Sequence, residues 1–390
     1  MVQAGGLYLL IMGWLALCFL SFAIWIYLLV ARGGFWLARE RSEPNIPPPA
    51  SWPSVIAVVP ARDEADVIAT SISSLLAQDY PGSLRVVLVD DQSTDGTAEL
   101  ARKLDAGGRL DVIAGSARPP GWTGKLWAVA QGIARAKADC PSDYLWLTDA
   151  DIAHTPDNLR TLIARAERDR LVLVSEMAKL HCSTAVERFL IPAFVFFFDM
   201  LYPFGWVNDP RNGMAAAAGG CMLARRDALE AAGGIEQIKG EIIDDCAFGR
   251  LMKKQGPIWL GLTDMARSIR PYDGMGEIGR MVSRSAYAQL NYSPFVLAGT
   301  VLGMLILYVL PPVAALGPAS TAMGLGLLAW IGMAVSFQPM LRFYGVSPLW
   351  GIALPVIGLV YTGFTIDSAL QFWRGQGGMW KGRAQAMTGV

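Results

Sequence analysis

The stretch Tyr144-Leu-Trp-Leu-Thr-Asp-Ala-Asp151 is an apolar run that ends in two carboxylates, Asp149 and Asp151. A strand buried inside a parallel sheet has this nearly continuous apolar character. Ligands of open α/β sheets bind beyond the carboxyl ends of such strands, which is where the two carboxylates fall. Carboxylate oxygens suit Mg²⁺ or Mn²⁺, and Mg²⁺ is usually held by one or two carboxylates plus substrate phosphates. The run therefore predicts a strand followed by a metal site, although a lone Asp-x-Asp is also common at solvated strand ends.

Strand and helix patterns alternate around this run. Residues 55–59 and 86–89 are two further apolar runs, and the second one ends in Asp90-Asp91. Between them, residues 65–78 carry apolar side chains at helical spacing. Alternation of this kind is the signature of a parallel α/β sheet. We therefore predict an α/β domain over residues 55–290, with acidic side chains following its strand ends.

Two glycine-containing motifs bear on nucleotide binding. Gly124-Lys125 opens a predicted helix, where backbone N–H groups and the lysine could meet a phosphate. It is not a Walker A loop, because the remainder of that consensus is absent. Residues 274–279 match Gly-x-Gly-x-x-Gly by letter, but no strand precedes them. A dinucleotide-binding motif is therefore disfavoured, and we predict a flexible loop there.

Long uncharged segments flank the predicted domain. Residues 7–31 carry no charge and are long enough to span a bilayer, and the C-terminal part contains two further uncharged runs, 285–341 and 343–366. We predict a transmembrane anchor over 1–32, a proline-rich linker over 33–54 and a multi-span membrane region over 291–390 with a basic tail. The apolar stretch 189–207 is either a core helix or a segment in the membrane interface.

The orientation in the membrane follows from the arginines after the first segment, Arg32, Arg39 and Arg41. The positive-inside rule predicts that they and the following domain are cytoplasmic. Three spans after residue 290 would put Arg374, and with it Lys381 and Arg383, outside, against that rule. The number of C-terminal spans is therefore left open.

The composition excludes several other classes of protein. The formal net charge is zero, which gives no electrostatic case for a nucleic acid partner. The five cysteines form no Cys-x-x-Cys pair, so a disulfide framework and a zinc site are excluded. The two histidines leave little for a His-based metal site or a Ser-His-Asp triad. His154 beside the acidic turn is either a third metal ligand or, as we expect, a solvent-facing loop residue.

Five motifs in chain order resemble those of the family 2 inverting glycosyltransferases with the GT-A fold. They are Val-Val-Pro-Ala-Arg-Asp-Glu at 58–64, Val-Asp-Asp-Gln-Ser-Thr-Asp-Gly-Thr at 89–97, Gly124-Lys125, Asp149-Ala-Asp151 and Asp244-Asp245. The resemblance covers residues 55–285. With the membrane segments and the C-terminal Trp380-Lys-Gly-Arg383, the chain is most similar to the hopene-associated glycosyltransferases of bacteria.

The resemblance implies a GT-A nucleotide-diphospho-sugar transferase fold, with a mixed, mostly parallel sheet and transmembrane helices at both ends. It also implies a multi-pass protein of the bacterial inner membrane. Carried over by position, Asp91 would accept a hydrogen bond from the uracil of a UDP-sugar, and Pro60 and Glu64 would line the nucleotide pocket. Asp149 would face the ribose or the metal ion.

The remaining roles implied by the resemblance concern the reaction itself. Asp151 would bind the divalent ion, Asp245 would be the general base, and Lys125 would serve the nucleotide phosphates. Arg284 would stand for the arginine of the family's (Gln/Arg)-x-x-Arg-Trp motif, which steadies the diphosphate. The tryptophan and the first polar residue of that motif are missing here, and Arg280 stands one place too early. This departure argues against a processive synthase.

These expectations combine into a membrane-bound enzyme that moves a sugar from a UDP-sugar to a lipid hydroxyl, with Mg²⁺ or Mn²⁺ as cofactor; the resemblance suggests a hopanoid as the lipid. One alternative is a membrane nucleotidyl or phosphosugar transferase, which would share the fold and the metal but release pyrophosphate where the first releases UDP. A second alternative is a non-catalytic nucleotide-sugar-binding subunit. The joint presence of four aspartates counts against it, namely Asp91, Asp149, Asp151 and Asp245.

Overall fold

The computed structural model describes residues 2–43, 45–104, 107–139, 142–318 and 320–378. Contacts among the described residues divide the chain into two compact units. The sheet unit comprises Glu40–His181 and Phe204–Pro271, with Gly378, and the helical unit comprises the described residues of Met1–Arg39, Cys182–Pro203 and Tyr272–Gly377.

The strands of the described residues all belong to the sheet unit. They are β1 (Val55–Ala61), β2 (Leu84–Asp90), β3 (Leu110–Ala114), β4 (Tyr144–Thr148), β5 (Ile152–His154), β6 (Leu173–Lys179), β7 (Cys221–Arg225) and β8 (Ile258–Ser268).

The α-helices are distributed over both units. They are α1 (Val2–Ala31), α2 (Ile68–Leu76), α3 (Thr97–Arg102), α4 (Gly124–Asp139), α5 (Asn158–Asp169), α6 (Ala185–Leu201), α7 (Phe204–Asn208), α8 (Arg226–Ala231), α9 (Asp244–Lys253), α10 (Met275–Ser283), α11 (Ala286–Gln289), α12 (Pro294–Met304), α13 (Leu310–Ala315), α14 (Thr321–Tyr344) and α15 (Leu354–Trp373).

The sheet is mixed, with the strand order β3-β2-β1-β4-β7-β6-β8-β5. β1 pairs in parallel with β2 on one side and β4 on the other, whereas β7 runs antiparallel to both of its neighbours, β4 and β6. Every residue of β1 and of β4 is buried, as their apolar sequences predicted. The predicted GT-A type of sheet, mixed and mostly parallel at its first strands, is thereby confirmed.

The strand register determines which residues meet at the carboxyl edge of the sheet. Pro60 pairs with Val89 across β1 and β2, and the carboxyl end of β4 lies on the other side of β1. The residues that follow β2 and β4 therefore flank the end of β1. Thr148, the last residue of β4, pairs with Cys221 at the start of β7, so the antiparallel strand β7 delivers the segment before it to the same edge.

Helices cover the two faces of the sheet and hold its edge in place. α2 and α5 contribute buried residues such as Ile72 and Leu162 to one hydrophobic core. α4 packs on β1 and β2, and a Cβ at Gly132 of α4 would lie 2.4 Å from Cγ1 of Val58. Glycine is needed for this close approach, which carries the start of α4, at Gly124-Lys125, to the carboxyl edge of the sheet.

Part of the predicted linker 33–54 pairs with a strand of the sheet unit. The backbone N–H of Ser42 donates to the carbonyl oxygen of Leu262 at 2.9 Å, and the N–H of Leu262 donates to the carbonyl of Glu40 at 2.8 Å. Residues 40–42 therefore run beside β8 as a short additional strand segment.

The helical unit contains the membrane candidates. Among the described residues, three helical segments are long and apolar enough to cross a membrane: Tyr8–Ala31, Pro294–Ala315 and Thr321–Tyr344. α15 is not among them. Two candidate spans therefore follow the sheet unit, and residues 380–383 of the predicted basic tail lie outside the described residues.

Two further segments of the helical unit can be compared with their predictions. α6 buries Leu190, Val195 and Phe196, in agreement with the core-helix alternative for residues 189–207. The flexible loop predicted at 274–279 was wrong, because the segment forms the start of α10. Its Gly279 is buried, and a Cβ there would lie 2.8 Å from the ring of Phe364.

Candidate active site

Lys125 is the centre of a charged cluster at the carboxyl edge of the sheet unit. Its Nζ lies 2.8 Å from Oδ1 of Asp149, after β4, and 3.2 Å from Oδ2 of Asp244, the first residue of α9. Burial alone would lower the pKa of Lys125, but Asp149 and Asp244 raise it well above its ordinary value. The ammonium group therefore stays charged and joins the acidic turn of β4 to the start of α9.

Asp245 is held by two backbone donors beside this lysine. Its Oδ2 accepts from the N–H of Gly219 at 3.1 Å, and its Oδ1 accepts from the N–H of Cys246 at 2.7 Å. Burial and the neighbouring charge of Asp244 raise the pKa of Asp245 to about 6, while Lys125 and the two N–H groups oppose the shift. A partly buried carboxylate with a pKa near neutrality is suited to accept a proton.

Gly219 allows the close packing of this part of the site. A Cβ at Gly219 would lie 3.2 Å from Nζ of Lys125 and 3.5 Å from Cβ of Asp245. A side chain there would displace one of the two charged groups. Gly219 therefore donates a hydrogen bond to Asp245, and its lack of a side chain leaves room for Lys125.

A second charged group forms around Arg270, which follows β8. Its guanidinium donates to Oε2 of Glu64, lies 3.4 Å from Oδ2 of Asp66, and has its Nε 3.6 Å from Oδ2 of Asp151. Burial and the charge of Asp149 raise the pKa of Asp151, and Arg270 opposes them. Arg270 therefore binds the carboxylate predicted for the metal ion and the one predicted for the nucleotide pocket.

Asp91 lies in a separate part of the same edge, directly after β2. Its side chain is buried, its N–H donates to the carbonyl of Ala61 at 2.8 Å, and its Oδ2 lies 3.6 Å from Nη1 of Arg62. The next residue, Gln92, has a positive φ of 59°, so the chain turns sharply after Asp91. The turn is held because Oδ1 of Asp63 accepts from the N–H of Thr94 at 2.8 Å.

A small recess lies beside Lys125. Asp149 and Asp244 contribute polar groups to its wall, and Pro60 also lines it. Its apolar lining comes from α4, β4, β7, α9 and the segment before α9: Leu126, Val129, Leu147, Met222, Ile235, Ile238 and Phe248. Polar and apolar groups thus converge on one recess, as in small-molecule sites generally.

The carboxylates of the site can be compared with the ligands that a divalent ion requires. In the part of the chain that the structure describes, no three His, Cys, Asp or Glu side chains group together as metal ligands. Mg²⁺ needs only one or two carboxylates when substrate phosphates supply further oxygens. Asp149 lies close enough to raise the pKa of Asp151, so two hard oxygen donors share one region. Asp149 and Asp151 therefore fit an ion that also binds a diphosphate.

The sheet unit brings together most of the predicted site residues. Lys125, Asp149 and Asp245 form one cluster, and Asp151 with Glu64 forms the other. Arg284 follows the last residue of α10 in the helical unit and is exposed, so its contact with a diphosphate remains a prediction.

Two residues of the site were missed by sequence analysis. Arg270 stands in no motif that was recognised, although it follows a long strand. Gly219 belongs to a Gly-Gly pair, which permits close backbone approach, but the sequence does not reveal the partner of that approach.

The prediction that His154 faces solvent was wrong, and so was the alternative of a metal ligand. Its ring is buried, Nε2 lies 2.9 Å from Oγ1 of Thr148, and Nδ1 lies 3.0 Å from Nδ2 of Asn158. Both ring nitrogens are therefore engaged inside the sheet unit. Burial lowers the pKa of His154 to about 3, so the ring is neutral.

The mixed sheet and its acidic edge define a GT-A type of fold, the class that binds nucleotide-sugars. In agreement with this class, residues 56–233 match the model of the family described as Glycosyl transferase family 2. The match covers less than half of the chain, and together with the fold it indicates an enzyme of the glycosyltransferase type.

Two curated relatives and one solved structure are similar to the chain. The succinoglycan biosynthesis protein ExoU of Rhizobium meliloti (strain 1021) is 43% identical over 60 residues, which cover 15% of this chain and 17% of that protein. The N-acetylglucosaminyltransferase of Mesorhizobium japonicum (strain LMG 29417 / CECT 9101 / MAFF 303099) is 29% identical over 203 residues, which cover 47% of this chain and 44% of that protein. The chain thus spans less than half the length of these curated relatives.

The solved structure is the mannosyltransferase PcManGT from Pyrobaculum calidifontis, in complex with GDP-Man and Mn²⁺. The TM-score is 0.54 at 17% sequence identity, and the similarity covers 93% of this chain and 99% of that one. At this level of identity the similarity establishes the fold.

Proposed function

We propose that the protein is a membrane-bound inverting glycosyltransferase that moves a sugar from a UDP-sugar to the hydroxyl group of a lipid. A hopanoid is the acceptor that the resemblance to the hopene-associated glycosyltransferases suggests. In this proposal residues 1–32 are the membrane anchor, 33–54 the linker, 55–290 the catalytic domain and 291–390 the C-terminal membrane region.

The observation that carries the proposal is the position of Lys125 between Asp149 and the Asp244-Asp245 pair. Asp149 belongs to the side of the site proposed for the nucleotide, and Asp245 is the proposed base. One ammonium group, 2.8 Å from Asp149 and 3.2 Å from Asp244, links the two sides. A donor bound on one side and an acceptor activated on the other would therefore meet next to Lys125.

In the proposed reaction, Asp245 takes the proton of the acceptor hydroxyl. The acceptor oxygen forms a bond to the anomeric carbon, the bond from that carbon to the diphosphate oxygen breaks, and UDP leaves. A positioned base of this kind contributes a factor of roughly 10²–10⁴ to the rate. Attack from the face opposite the leaving group inverts the configuration, and no covalent intermediate on a cysteine or histidine is needed.

The charge that develops on the diphosphate requires positive partners. Lys125 is one such group, because its raised pKa keeps it protonated. A divalent ion held by Asp149 and Asp151 would act as a Lewis acid on the diphosphate oxygens, an effect worth several kcal/mol. The complex of the mannosyltransferase PcManGT with Mn²⁺ supports a divalent cofactor, with Mg²⁺ and Mn²⁺ both open.

A lipid acceptor is supported by the apolar helices. In the part of the chain that the structure describes, three helical segments are candidates to cross a membrane, one before the sheet unit in sequence and two after it. We propose that the catalytic domain is cytoplasmic at the bacterial inner membrane, because Arg32, Arg39 and Arg41 follow the first candidate span. Two later crossings would return the chain to the cytoplasm, so Arg374 would also obey the charge rule.

The proposal is tested with the full-length protein purified in detergent or nanodiscs. The protein is incubated with UDP-sugars or GDP-sugars, a lipid extract and Mn²⁺, and released UDP, GDP and pyrophosphate are measured separately. We expect UDP release that depends on the lipid and is abolished by EDTA. Pyrophosphate released in a parallel reaction that supplies a nucleoside triphosphate and a sugar phosphate would establish the nucleotidyl transferase alternative, and mass spectrometry of lipids from a deletion strain would identify the missing product.

A further inference from the structure

Thr148 and His154 form a buried hydrogen-bond chain directly beneath the candidate site. Oγ1 of Thr148 donates to the carbonyl oxygen of Gly220 at 2.8 Å, and the same oxygen lies 2.9 Å from Nε2 of His154. On the other side of the ring, Nδ1 of His154 lies 3.0 Å from Nδ2 of Asn158. The ring also packs against Trp146, with a centroid separation of 4.5 Å.

The hydrogen bonds of this series can all be assigned the same direction, from Asn158 toward Gly220. The single proton of the Thr148 hydroxyl goes to the Gly220 carbonyl, so the hydroxyl oxygen must accept from Nε2–H of His154. Nδ1 is then unprotonated and accepts from the amide N–H of Asn158, which is also hydrogen-bonded to Glu176. A neutral ring in the Nε2–H form satisfies each of these contacts.

The hydrogen bond between Thr148 and Gly220 connects the two halves of the candidate site. Thr148 immediately precedes Asp149, the first carboxylate of the acidic turn. Gly220 immediately follows Gly219, whose N–H donates to Asp245 at 3.1 Å. The hydrogen bond from Thr148 to Gly220 therefore joins the backbone that carries Asp149 to the backbone that holds Asp245.

The backbone around Gly219 and Gly220 has few other restraints of this kind. β4 and β7 pair only up to Thr148 and Cys221, so Gly219 and Gly220 lie beyond the last paired residue of the strand. Oγ of Ser175 accepts from the N–H of Ala218 at 2.8 Å on the other side of the segment. Between these two points, the Thr148 hydroxyl, at the end of the strand that precedes the acidic turn, bonds to the Gly220 carbonyl.

We propose that His154 and Thr148 are positioning residues that set the distance between the Asp149-Asp151 turn and the base Asp245, with His154 fixing the direction in which the Thr148 hydroxyl donates. The inference rests on the proposed transferase function. Neither residue touches the reacting atoms in this scheme. They act through Gly220 and Gly219 on the position and hydrogen bonding of Asp245.

The experiment compares Thr148→Val with Thr148→Ser in the full-length protein. Valine has the shape of threonine but no hydroxyl, whereas serine keeps the hydroxyl. Since a misplacement of about 1 Å reduces catalysis by as much as ~10²-fold, we expect kcat of Thr148→Val to fall by roughly 10- to 100-fold. UDP binding should change less than about threefold, because Asp91 lies after a different strand.

The pH profile separates a positioning role from a merely structural one. The Gly219 N–H lowers the pKa of Asp245, while burial and Asp244 raise it and Lys125 lowers it. Loss of the Thr148 hydroxyl should loosen the Gly219 contact alone, and the acidic limb of kcat should move to higher pH. Thr148→Ser should restore most of kcat and return the limb toward its wild-type position.

Thr161→Val is the matched control for loss of a buried hydroxyl. Thr161 is also buried in the sheet unit, and its Oγ1 donates to the carbonyl of Asp157 at 3.0 Å, outside the chain described above. If Thr148→Val does not fold, His154→Leu serves as the second disrupting variant and His154→Gln, which keeps an N–H donor, as its partner. Thermal unfolding and UDP binding report on folding in every case.

The outcomes are distinguishable. A kcat loss with a shifted acidic limb in Thr148→Val, absent from Thr161→Val, supports the proposal. An active wild type whose Thr148→Val variant has unchanged kcat and an unchanged limb overturns it, as does a loss confined to thermal stability. A wild type without any transfer activity contradicts the proposed function itself.

Discussion

Nζ of Lys125 lies 2.8 Å from Oδ1 of Asp149 and so neutralises the first carboxylate of the acidic turn. The same ammonium group lies 3.2 Å from Asp244, the residue before the proposed base. Lys125, in α4, is therefore the shared counter-ion of Asp149, which follows β4, and of Asp244, in α9. Any change to Lys125 leaves two partly buried carboxylates without their partner, which is unfavourable for both.

Lys125→Met is expected to lower kcat/KM by on the order of 10²-fold, because a charged hydrogen-bonding partner of the site is lost. UDP binding should also weaken, since the lysine is proposed to serve the phosphates. Steady-state kinetics and calorimetric titration with UDP measure the two effects. Lys137→Met at the far end of the same helix, where the side chain is 67% exposed, is the control, and equal losses in both variants would contradict the assignment.

Asp245→Asn is expected to reduce transfer by roughly 10²–10⁴-fold, because asparagine cannot accept the acceptor proton. The side chain keeps its shape, so UDP binding should persist. Asp227→Asn, in a surface pair with Arg225, is the control. Full activity of Asp245→Asn would remove Asp245 from the mechanism.

The pH dependence of transfer follows from the same carboxylate. The base must be ionised, and burial with Asp244 raises the pKa of Asp245 to about 6. The rate is therefore expected to be at its plateau above about pH 7 and to fall about tenfold per pH unit below pH 6. A profile of kcat against pH at saturating donor and acceptor measures this, and a limb near pH 4 would show that the group is not Asp245.

Arg270 should compete with cations for the acidic turn. Its Nε lies 3.6 Å from Asp151, so its positive charge opposes the binding of a second positive charge there. Arg270→Met is expected to bind Mn²⁺ about tenfold more tightly in the absence of nucleotide, the equivalent of ~1.4 kcal/mol. Electron paramagnetic resonance of free Mn²⁺ measures the affinity, with Arg267→Met as control.

Asp151→Asn tests the same site from the opposite side. This variant should lose the Mn²⁺ binding that wild type shows, because one of the two oxygen donors has lost its charge. Unchanged Mn²⁺ affinity in both Arg270→Met and Asp151→Asn would place the ion elsewhere.

The strands nearest the site could be predicted because their residues are buried on both faces. β1, β2 and β4 are apolar runs that end in the acidic or turn residues of the site, so strand position and site position were visible together. β5, β7 and β8 were not predicted. β5 has only three residues, and the antiparallel pairings of β7 depend on partners far along the chain.

Arg270 shows why some site residues have no local signal. It binds Glu64 across 206 residues, and the contact exists only because β8 returns to the edge where β1 ends. His154 shows the same effect for burial. Asp149 and Asp151 precede it in the sequence, but its ring packs against Trp146 and is hydrogen-bonded to Thr148 and Asn158. Tertiary packing, rather than residue type, decided both outcomes.

The number of membrane crossings can be tested with reporter fusions. Three candidate spans would put the segment between α13 and α14 outside and the segment after Tyr344 inside. Alkaline phosphatase fused after Gly317 should be active, and green fluorescent protein fused after Val346 should fluoresce. The exchanged pair of fusions is the control. Phosphatase activity after Val346 would contradict three crossings with a cytoplasmic catalytic domain.

Glu176 gives a prediction about stability and pH. Its carboxyl is buried in β6; burial raises its pKa to about 7, although hydrogen bonds from Ser42, Thr263 and Asn158 oppose the shift. The folded state therefore prefers the protonated form relative to an unfolded glutamate with a pKa near 4.5. The resulting stabilisation is complete below about pH 4.5 and is lost as the pH rises through about 7.

Glu176→Gln keeps the size of the side chain but cannot ionise. The part of the loss of stability at rising pH that comes from Glu176 should therefore disappear in this variant. Between pH 5 and pH 8 the wild type is expected to lose roughly 2–3 kcal/mol of unfolding free energy relative to the variant, as an upper bound. Thermal unfolding in detergent across this range measures the difference, with Glu99→Gln at an exposed position of α3 as control. Parallel curves for wild type and Glu176→Gln would show that Glu176 is ionised in the folded protein throughout, stabilised by its hydrogen-bond donors and by the nearby charge of Arg165.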